Sequence, residues 1–351
     1  MSNYDCIVSI GIPVYNVEKY VRKCVLSALN QNFNEEYEIL VIDDKGSDSS
    51  IDIVKELQSS HPRGNRIHIL VQPQNLGCWA ARNRVIKEAK GKYILYLDAD
   101  DYISPKTLRV MYDNAEKYNA EAVYGSVVSI TENGDPVTFS KGDMKLPFRV
   151  LIGKDELAQF ANQNTHPTLY NFIWNVLLRK DFIINHHLEF HKTRFADDIV
   201  FETDMQPLIE RAVLLPDETY FYVLRGGSLS NFQERSRIDL AEIEHYIHIY
   251  TYIKNQVHEL KGKNYYEARC AKVMKYMFYI VCGGLKNRKK IHPAFTNKMV
   301  KDAMTHPLNL SEIITFKRHL LSNIGLWIIG ALPPLLSVGI IKVIGKWKHL
   351  L

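Results

Sequence analysis

Tyr93-Ile94-Leu95-Tyr96-Leu97-Asp98-Ala99-Asp100-Asp101 is an apolar run that ends in three carboxylates. Gly91 before it and Pro105 after it bound a short buried strand. Carboxylates crowded at the end of a strand repel one another unless a positive charge lies among them. A hard divalent cation that also holds a phosphate meets that need. Mg²⁺ or Mn²⁺ accepts a few protein oxygens and completes its shell with phosphate oxygens. Asp98 and Asp100 lie two residues apart, so on a strand both side chains point to one face and reach the same metal. The bland reading of these residues is a solvated acidic loop, or a helix start before Pro105.

The elements that must position these acids can be read from the rest of the chain. Its 351 residues suggest about two domains at roughly 150 residues each, and 46% hydrophobic content suffices for a sizeable core. The formal net charge of +5 is modest. Five scattered cysteines, Cys6, Cys24, Cys78, Cys270 and Cys282, show no paired spacing. That excludes a disulfide scaffold or a zinc site and fits a reducing compartment. The N-terminus runs directly into a strand-like segment, so no secretory signal is expected, and no internal repeat or low-complexity tract is evident.

The first third alternates. Ile7 to Ile12 reads as a strand, followed by a helix with Tyr20, Val21, Val25, Ala28 and Leu29 on one face. Tyr37 to Asp43 is a second strand before a helix from Asp48 to about Leu57. Ile67 to Val71 is a third, before a helix through Ala80, Ala81, Val85 and Ala89. Tyr93 to Leu97 is the fourth. This pattern predicts βαβ units and a mainly parallel sheet covered on both faces, with ligands bound beyond the carboxyl ends of the strands. Polar loops fall at those ends: Pro13 to Asn16, Asp43 to Asp48, Asn75 to Gly77, and the acidic triplet.

The set P-V-Y-N, D-D-x-G-S-x-D, N-x-G-x-x-x-A-R-N and D-A-D-D, in this order, resembles family 2 glycosyltransferases with the nucleotide-binding GT-A fold. The resemblance covers residues 6 to 130 strongly and continues more weakly to about 230. One departure is Lys45, inserted before Gly46 relative to the commoner D-D-G-S. The resemblance implies an inverting transfer from a nucleotide-sugar, with a UDP-sugar the leading donor. It implies that Asp44 accepts from the uracil imide while Asp43 shapes the same pocket, Pro13 and Tyr15 lie near the base, and Gly77 lets a helix start approach the nucleotide. Helix capping after the second strand is better suited to Ser47 or Asp48. Arg82 either offers a cation to the diphosphate or pairs with Asp100. Asp98, Ala99 and Asp100 form the D-x-D motif, with Mn²⁺ or Mg²⁺ on Asp98 and Asp100, and Asp101 adds charge at the sugar or behind it.

Glycosyl transfer needs a base for the acceptor hydroxyl. Phe195-Ala196-Asp197-Asp198-Ile199-Val200-Phe201 is similar to the family's acidic pair, which assigns Asp198 as base and Asp197 as its neighbour. Two adjacent carboxylates raise one another's pKa. The same acids also suit a helix N-terminus. The W-N-x-x-x-R stretch from Trp174 to Arg179 makes Trp174 either an acceptor floor or a core residue. The segment Tyr222 to Ser228 resembles a tyrosine-rich strand followed by R-x-x-S, with Arg225 aimed at a phosphate of the donor or of a lipid acceptor.

The expected organisation is a GT-A catalytic domain over 1–235, with a nucleotide-sugar half at about 6–130 and an acceptor half at about 131–235. A helical region over 236–310 and a membrane-associating tail over 311–351 follow. Helices are predicted over Ile238 to Leu260 and from about Tyr265 through Gly283, before the basic run Lys286 to Lys290. Ile324 to Ile341 holds no charged residue and is flanked by Lys317, Arg318 and His319 before and Lys342, Lys346 and Lys348 after. Pro333-Pro334 would interrupt a single helix. The tail therefore reads as an in-plane or re-entrant anchor on the cytoplasmic membrane face, ahead of a spanning helix or a buried cap. Such a tail fits a glycan acceptor carried on a polyprenyl diphosphate. A nucleic-acid partner is not expected. A nucleotidyltransferase would carry a Gly-rich basic loop after the first strand, and Pro13 to Asn16 has none. An inactive nucleotide-sugar-binding scaffold is the remaining alternative, opposed by the retained acids.

Overall fold

In the computed structural model, residues 4–137, 144–163, 169, 171–225 and 235–351 are described. The chain forms two compact units, one of Met1–Ala161 and Thr165–Arg225, the other of Asn162–Asn164 and Gly226–Leu351. The first unit opens with β1 (Cys6–Val14), α1 (Val21–Leu29), β2 (Tyr37–Asp43), α2 (Ser50–Ser60), β3 (Ile67–Val71), α3 (Cys78–Glu88) and β4 (Gly91–Tyr96). These are the elements expected from the alternating pattern, with β2 and β3 at the expected bounds and the other ends shifted by at most three residues. It continues with β5 (Tyr102–Ile103), α4 (Thr107–Tyr118), β6 (Ala122–Thr131), β7 (Arg149–Ile152), α5 (Glu156–Asn162), β8 (Val176–Arg179), α6 (Lys180–Asn185), α7 (Asp197–Met205) and β9 (Arg211–Leu224).

Nine strands form one sheet in the order β3-β2-β1-β4-β8-β6-β9-β5, with β7 also on β9. The pairs among β3, β2, β1 and β4 are parallel. Beyond β4 the sheet is mixed: β4–β8, β6–β8, β5–β9 and β7–β9 are antiparallel, and β6–β9 is parallel. The expectation of a mainly parallel sheet is thus corrected for the second half. Strand β8 runs opposite to both of its neighbours, β4 and β6, so the strand direction alternates there.

Strand side chains alternate between two apolar layers. Ile39 and Val41 of β2 pack with Val21, Val25 and Leu29 of α1 and with Leu108 and Met111 of α4. Leu40 and Ile42 pack on the other face with Ala81 and Val85 of α3 and Phe201 and Met205 of α7. A sheet covered on both faces reads as unbroken apolar runs, which is why β1, β2 and β4 were visible in the sequence. Strand β1 lies between β2 and β4, so the loops leaving β1 and β4 part company at one edge and open a crevice.

In the second unit α8 (Leu240–Asn255) and α9 (Tyr266–Lys286) match the two expected helices, the first followed by a 3₁₀ turn over Gln256–Leu260. The short strands β10 (Ile238–Asp239) and β11 (Ile291–His292) pair in parallel. Four helices follow: α10 (Asn297–Met304), α11 (Leu310–Ile313), α12 (Leu320–Ala331) and α13 (Pro334–Trp347). The uncharged stretch is split between α12 and α13 at Pro333-Pro334, with Pro334 in the first turn of α13. Among the described residues no helix is long and apolar enough to cross a membrane.

The join of β1 to β4 allows no side chain at Gly91. A Cβ there would meet the backbone nitrogen of Ser9 at 2.6 Å and the carbonyl carbon of Val8 at 2.7 Å. Gly91→Ala is expected to destabilise the chain by about 2 kcal/mol, the cost of overpacking against backbone. Urea unfolding of the two proteins checks this, and an unchanged midpoint would contradict it.

Candidate active site

The loops after β1 and β2 are locked together by backbone hydrogen bonds. Asp44 N–H donates to Val14 O at 3.1 Å. Ser47 N–H donates to Asn16 Oδ1 at 2.8 Å, and Glu18 N–H to Asp48 Oδ2 at 2.8 Å. Asp48 also accepts from Ser50 N–H at 3.0 Å, so it serves the start of α2 although Ser49 is the cap residue. The inserted Lys45 is absorbed by a left-handed backbone (φ 61°), with its N–H held by Asp43 Oδ1 at 2.8 Å. Gly46 then passes close to Asn16.

Asp44 is buried, and each of its oxygens accepts a backbone N–H from the loop before α3: Leu76 to Oδ1 and Gly77 to Oδ2, both at 2.9 Å. Each oxygen retains a second lone pair for a ligand donor. Gly77 caps α3 at φ +91°, a conformation that L side chains rarely adopt. Pro13 is half-buried at the end of β1, and Tyr15 beyond it is 49% exposed.

The acidic motif is not a continuation of the strand. β4 ends at Tyr96, and Asp98–Asp101 form a turn closed by Asp101 N–H donating to Asp98 O at 3.0 Å. The expectation that Asp98 and Asp100 share a strand face is therefore corrected. The methyl of Ala99 is buried in the core. Asp101 turns inward rather than toward a sugar: Oδ1 accepts from Val223 N–H at 2.7 Å and Oδ2 from Tyr220 O–H at 2.8 Å. Burial, then Asp100 and Asp98, push its carboxyl well above the usual range. Tyr220 Oη also accepts Asp98 N–H at 3.3 Å, so one tyrosine of β9 holds both ends of the turn.

Two arginines supply the positive charge that crowded acids require. Arg82 of α3 donates through Nη2 to Asp98 Oδ1 and through Nη1 to Asp197 Oδ2, both at 3.0 Å. Its partner in the acidic turn is thus Asp98 and not Asp100. Arg225 reaches Asp100 Oδ2 with Nε and Nη2, both at 2.6 Å. Asp98 Oδ2 and Asp100 Oδ1 accept no hydrogen bond among the described residues. These are hard oxygens, the donor type that Mg²⁺ or Mn²⁺ takes. Among the described residues no group of three His, Cys, Asp or Glu side chains could hold a metal ion, so the remaining ligands would come from phosphate oxygens. The residues fit the metal on those terms.

Helix α7 begins at Asp197 after Ala196, which adopts a left-handed backbone at φ 57°. Asp197 is committed to Arg82. Asp198, buried beside it, is pushed up to about 7: burial dominates, Arg82 opposes it, and Asp197 and Asp98 add to it. The sequence argument relied on Asp197 for this rise, whereas burial is the larger cause. A base with this pKa is a carboxylate above about pH 7 and an acid below it, so proton acceptance switches on as pH rises.

Trp174 is 5% exposed and stacks on Phe172 at 4.6 Å and Tyr222 at 5.5 Å between ring centroids. Gly226–Ser228 of the R-x-x-S segment lie outside the described residues. Three further residues support the site. Asn83 clamps Phe190, donating to its carbonyl and accepting its N–H, both at 2.8 Å. Phe190 then stacks on Phe201 of α7 at 4.1 Å. Glu202, fully buried one turn after Asp198, accepts from Gln206 at 2.9 Å and Tyr124 at 3.2 Å and is pushed up to about 8, chiefly by burial. Asn83 lies inside the A-R-N motif and Glu202 four residues after Asp198, so both carried a spacing signal; Tyr220 carried none.

The sequence profile of glycosyl transferase family 2 matches residues 9–177, which hold the loops after β1 to β4 and the acidic turn. Residues 9–177, just under half of the chain, thus carry the family 2 pattern. The chain is 27% identical to glycosyltransferase GlyA of Streptococcus pneumoniae over 64% of its own length and 31% of GlyA. It is 37% identical to the poly(ribitol-phosphate) beta-glucosyltransferase of Bacillus spizizenii over 38% of the chain and 21% of that enzyme. The chain thus spans under a third of the length of these two relatives. Its fold is shared with residues 1–349 of Staphylococcus aureus TarS, solved with UDP-GlcNAc, at a TM-score of 0.65 and 16% identity over 92% of this chain and 90% of TarS 1–349.

Arg82→Met would leave the buried Asp197 and the half-buried Asp98 without their cation. The expected loss is about 3 kcal/mol or more of stability. Because Arg82 holds Asp198 down, the acid limb of the kcat/KM profile should move to higher pH. A pH–rate series and urea unfolding read the two effects, and a limb that stays in place would show that Arg82 does not set the titration of Asp198 or that Asp198 does not set the limb.

Proposed function

We propose that the chain is an inverting, metal-assisted glycosyltransferase. It moves a sugar from a nucleotide-sugar, with a UDP-sugar as first choice, to a hydroxyl of a glycan acceptor. Relatives named poly(ribitol-phosphate) beta-glucosyltransferase and chondroitin synthase support a polymeric acceptor, which in this reading is carried on a polyprenyl diphosphate at the cytoplasmic membrane face, in surface polysaccharide assembly. The observation that carries the reading is the buried carboxylate of Asp198 at the start of α7, beside the arginine that also holds Asp98 of the D-x-D turn.

The chemistry follows from these groups. Asp198 takes the proton of the acceptor hydroxyl as the oxygen's electron pair attacks the anomeric carbon. The bond from that carbon to the diphosphate breaks, its electrons pass to the diphosphate oxygen, and the anomeric configuration inverts. Asp44 and the Gly77 helix start receive the base and phosphate ends of the nucleotide. Asp98 and Asp100 would hold a bound Mn²⁺ or Mg²⁺, which supplies Lewis-acid stabilisation of the leaving diphosphate. Arg225 lies where it can exchange Asp100 for a phosphate oxygen. Trp174 itself is a core residue, and the half-buried Phe172 and Tyr222 stacked on it are the aromatic faces left for the acceptor.

The test is nucleoside diphosphate release from a panel of nucleotide-sugars, with Mn²⁺ or Mg²⁺ and with EDTA. Release from one UDP-sugar that stops with EDTA and in Asp98→Ala/Asp100→Ala is the expected result. Asp198→Asn should lower turnover by about 10²-fold or more while donor binding stays near its wild-type level. Metal-dependent UDP binding without turnover under any condition would favour the scaffold reading. Substantial activity in Asp198→Asn would move the base elsewhere.

A further inference from the structure

We propose that α12 and α13 are an in-plane docking surface for an anionic lipid bilayer, with Leu321, Leu335, Leu336, Val343 and Trp347 in the headgroup–acyl boundary and Lys342 and Lys346 against lipid phosphates. This deepens the lipid-linked acceptor of the proposed function. Helix α13 is apolar on two faces. Inward, Ser337, Val338, Ile341 and Gly345 are buried, and a Cβ on Gly345 would meet Cys282 Sγ of α9 at 3.3 Å. Outward, Leu336, Ile340, Val343 and Trp347 recur at the spacing of one helical stripe and are 58%, 37%, 70% and 78% exposed. Leu335 is 76% exposed on the adjoining row, and Leu321 of α12 is 85% exposed. A helix of a water-soluble surface places polar residues at such positions.

Charge identifies the occupant. From Ile313 to Leu351 there is no Asp or Glu, while Lys317, Arg318, Lys342, Lys346 and Lys348 are all present. Lys342 and Lys346 are one turn apart on the row beside the apolar stripe, where their stems lie along it and their ammonium groups reach phosphates. Trp347 sits at the end of the stripe, and an indole favours the membrane interface. A second copy of this chain would bring the same positive face and be repelled. Helix length selects the orientation. Helices of 12 and 14 residues reach about 18 and 21 Å, short of a hydrocarbon core of about 30 Å, and the proline pair separates them. They lie in the interface plane rather than across it.

Flotation of the full chain with vesicles tests the surface. The chain should float with phosphatidylcholine vesicles that contain phosphatidylglycerol, and float less with phosphatidylcholine alone or in high salt. Leu336→Ser/Val343→Ser/Trp347→Ser, all exposed positions, should weaken partition at least about tenfold at unchanged charge. Lys342→Gln/Lys346→Gln should weaken it about fivefold for each lysine. Wild-type protein that stays in the lipid-free fraction, or an apolar triple variant that floats as well as wild type, overturns the proposal. So does a wild-type dimer by light scattering that the triple variant splits while neither floats, because a second copy then covers the face. Donor hydrolysis by these variants stays at the wild-type level, so failure of the docking surface is distinguishable from failure of the catalytic reading.

Discussion

Arg82 is 4% exposed, and a guanidinium so far from water is tolerable only when paired. It is paired twice, with Asp98 beyond β4 and Asp197 at the start of α7, residues 16 and 115 positions away in the chain. That requirement ties three elements together: α3 carries the cation, the acidic turn must meet it from one side, and α7 must begin on the other. Asn83, the next residue, adds a second tie through Phe190 to the same helix. With one carboxylate of the α7 pair spent on Arg82, the other, Asp198, has no arginine of its own. Its neutral-range pKa follows from burial that outweighs the attraction of a cation already shared between two acids.

The charge balance of the acidic turn follows the same logic. Asp98 and Asp100 each have an arginine, while Asp101 is removed from the problem by facing β9. Each of the first two carboxylates still keeps one oxygen that accepts no hydrogen bond among the described residues, and Arg82 is shared with Asp197, so the acids are only partly balanced and can take a further cation. Two guanidiniums lie within hydrogen-bond distance of these acids. The match of residues 9–177 to glycosyl transferase family 2 agrees with that arrangement.

Much of this was legible in the residues and some was not. Strands buried on both faces announce themselves as apolar runs, so β1 to β4 and the loops at their ends were visible. Asp198 was visible because an acidic pair with an aromatic three residues on is a local pattern. The partner of Arg82 was not, since a contact across 115 residues leaves no local period. The D-x-D acids read as strand because nothing in their spacing reveals that the chain turns back at Asp101. The mixed half of the sheet was hidden for a similar reason: β8 is four residues long and its direction is set by what it pairs with. Pro333-Pro334 did show where α12 must stop.

The claim that most of this depends on is a carboxylate at position 198 that titrates near neutrality while folded. Carboxyl-carbon NMR of the selectively labelled protein, with Asp198→Asn and Glu202→Gln to assign the two buried acids, measures it directly. The account predicts a resonance that vanishes in Asp198→Asn and titrates near pH 7, with that of Glu202 higher, near 8. An Asp198 resonance already fully ionised at pH 5 would contradict it, because burial would then not outweigh Arg82.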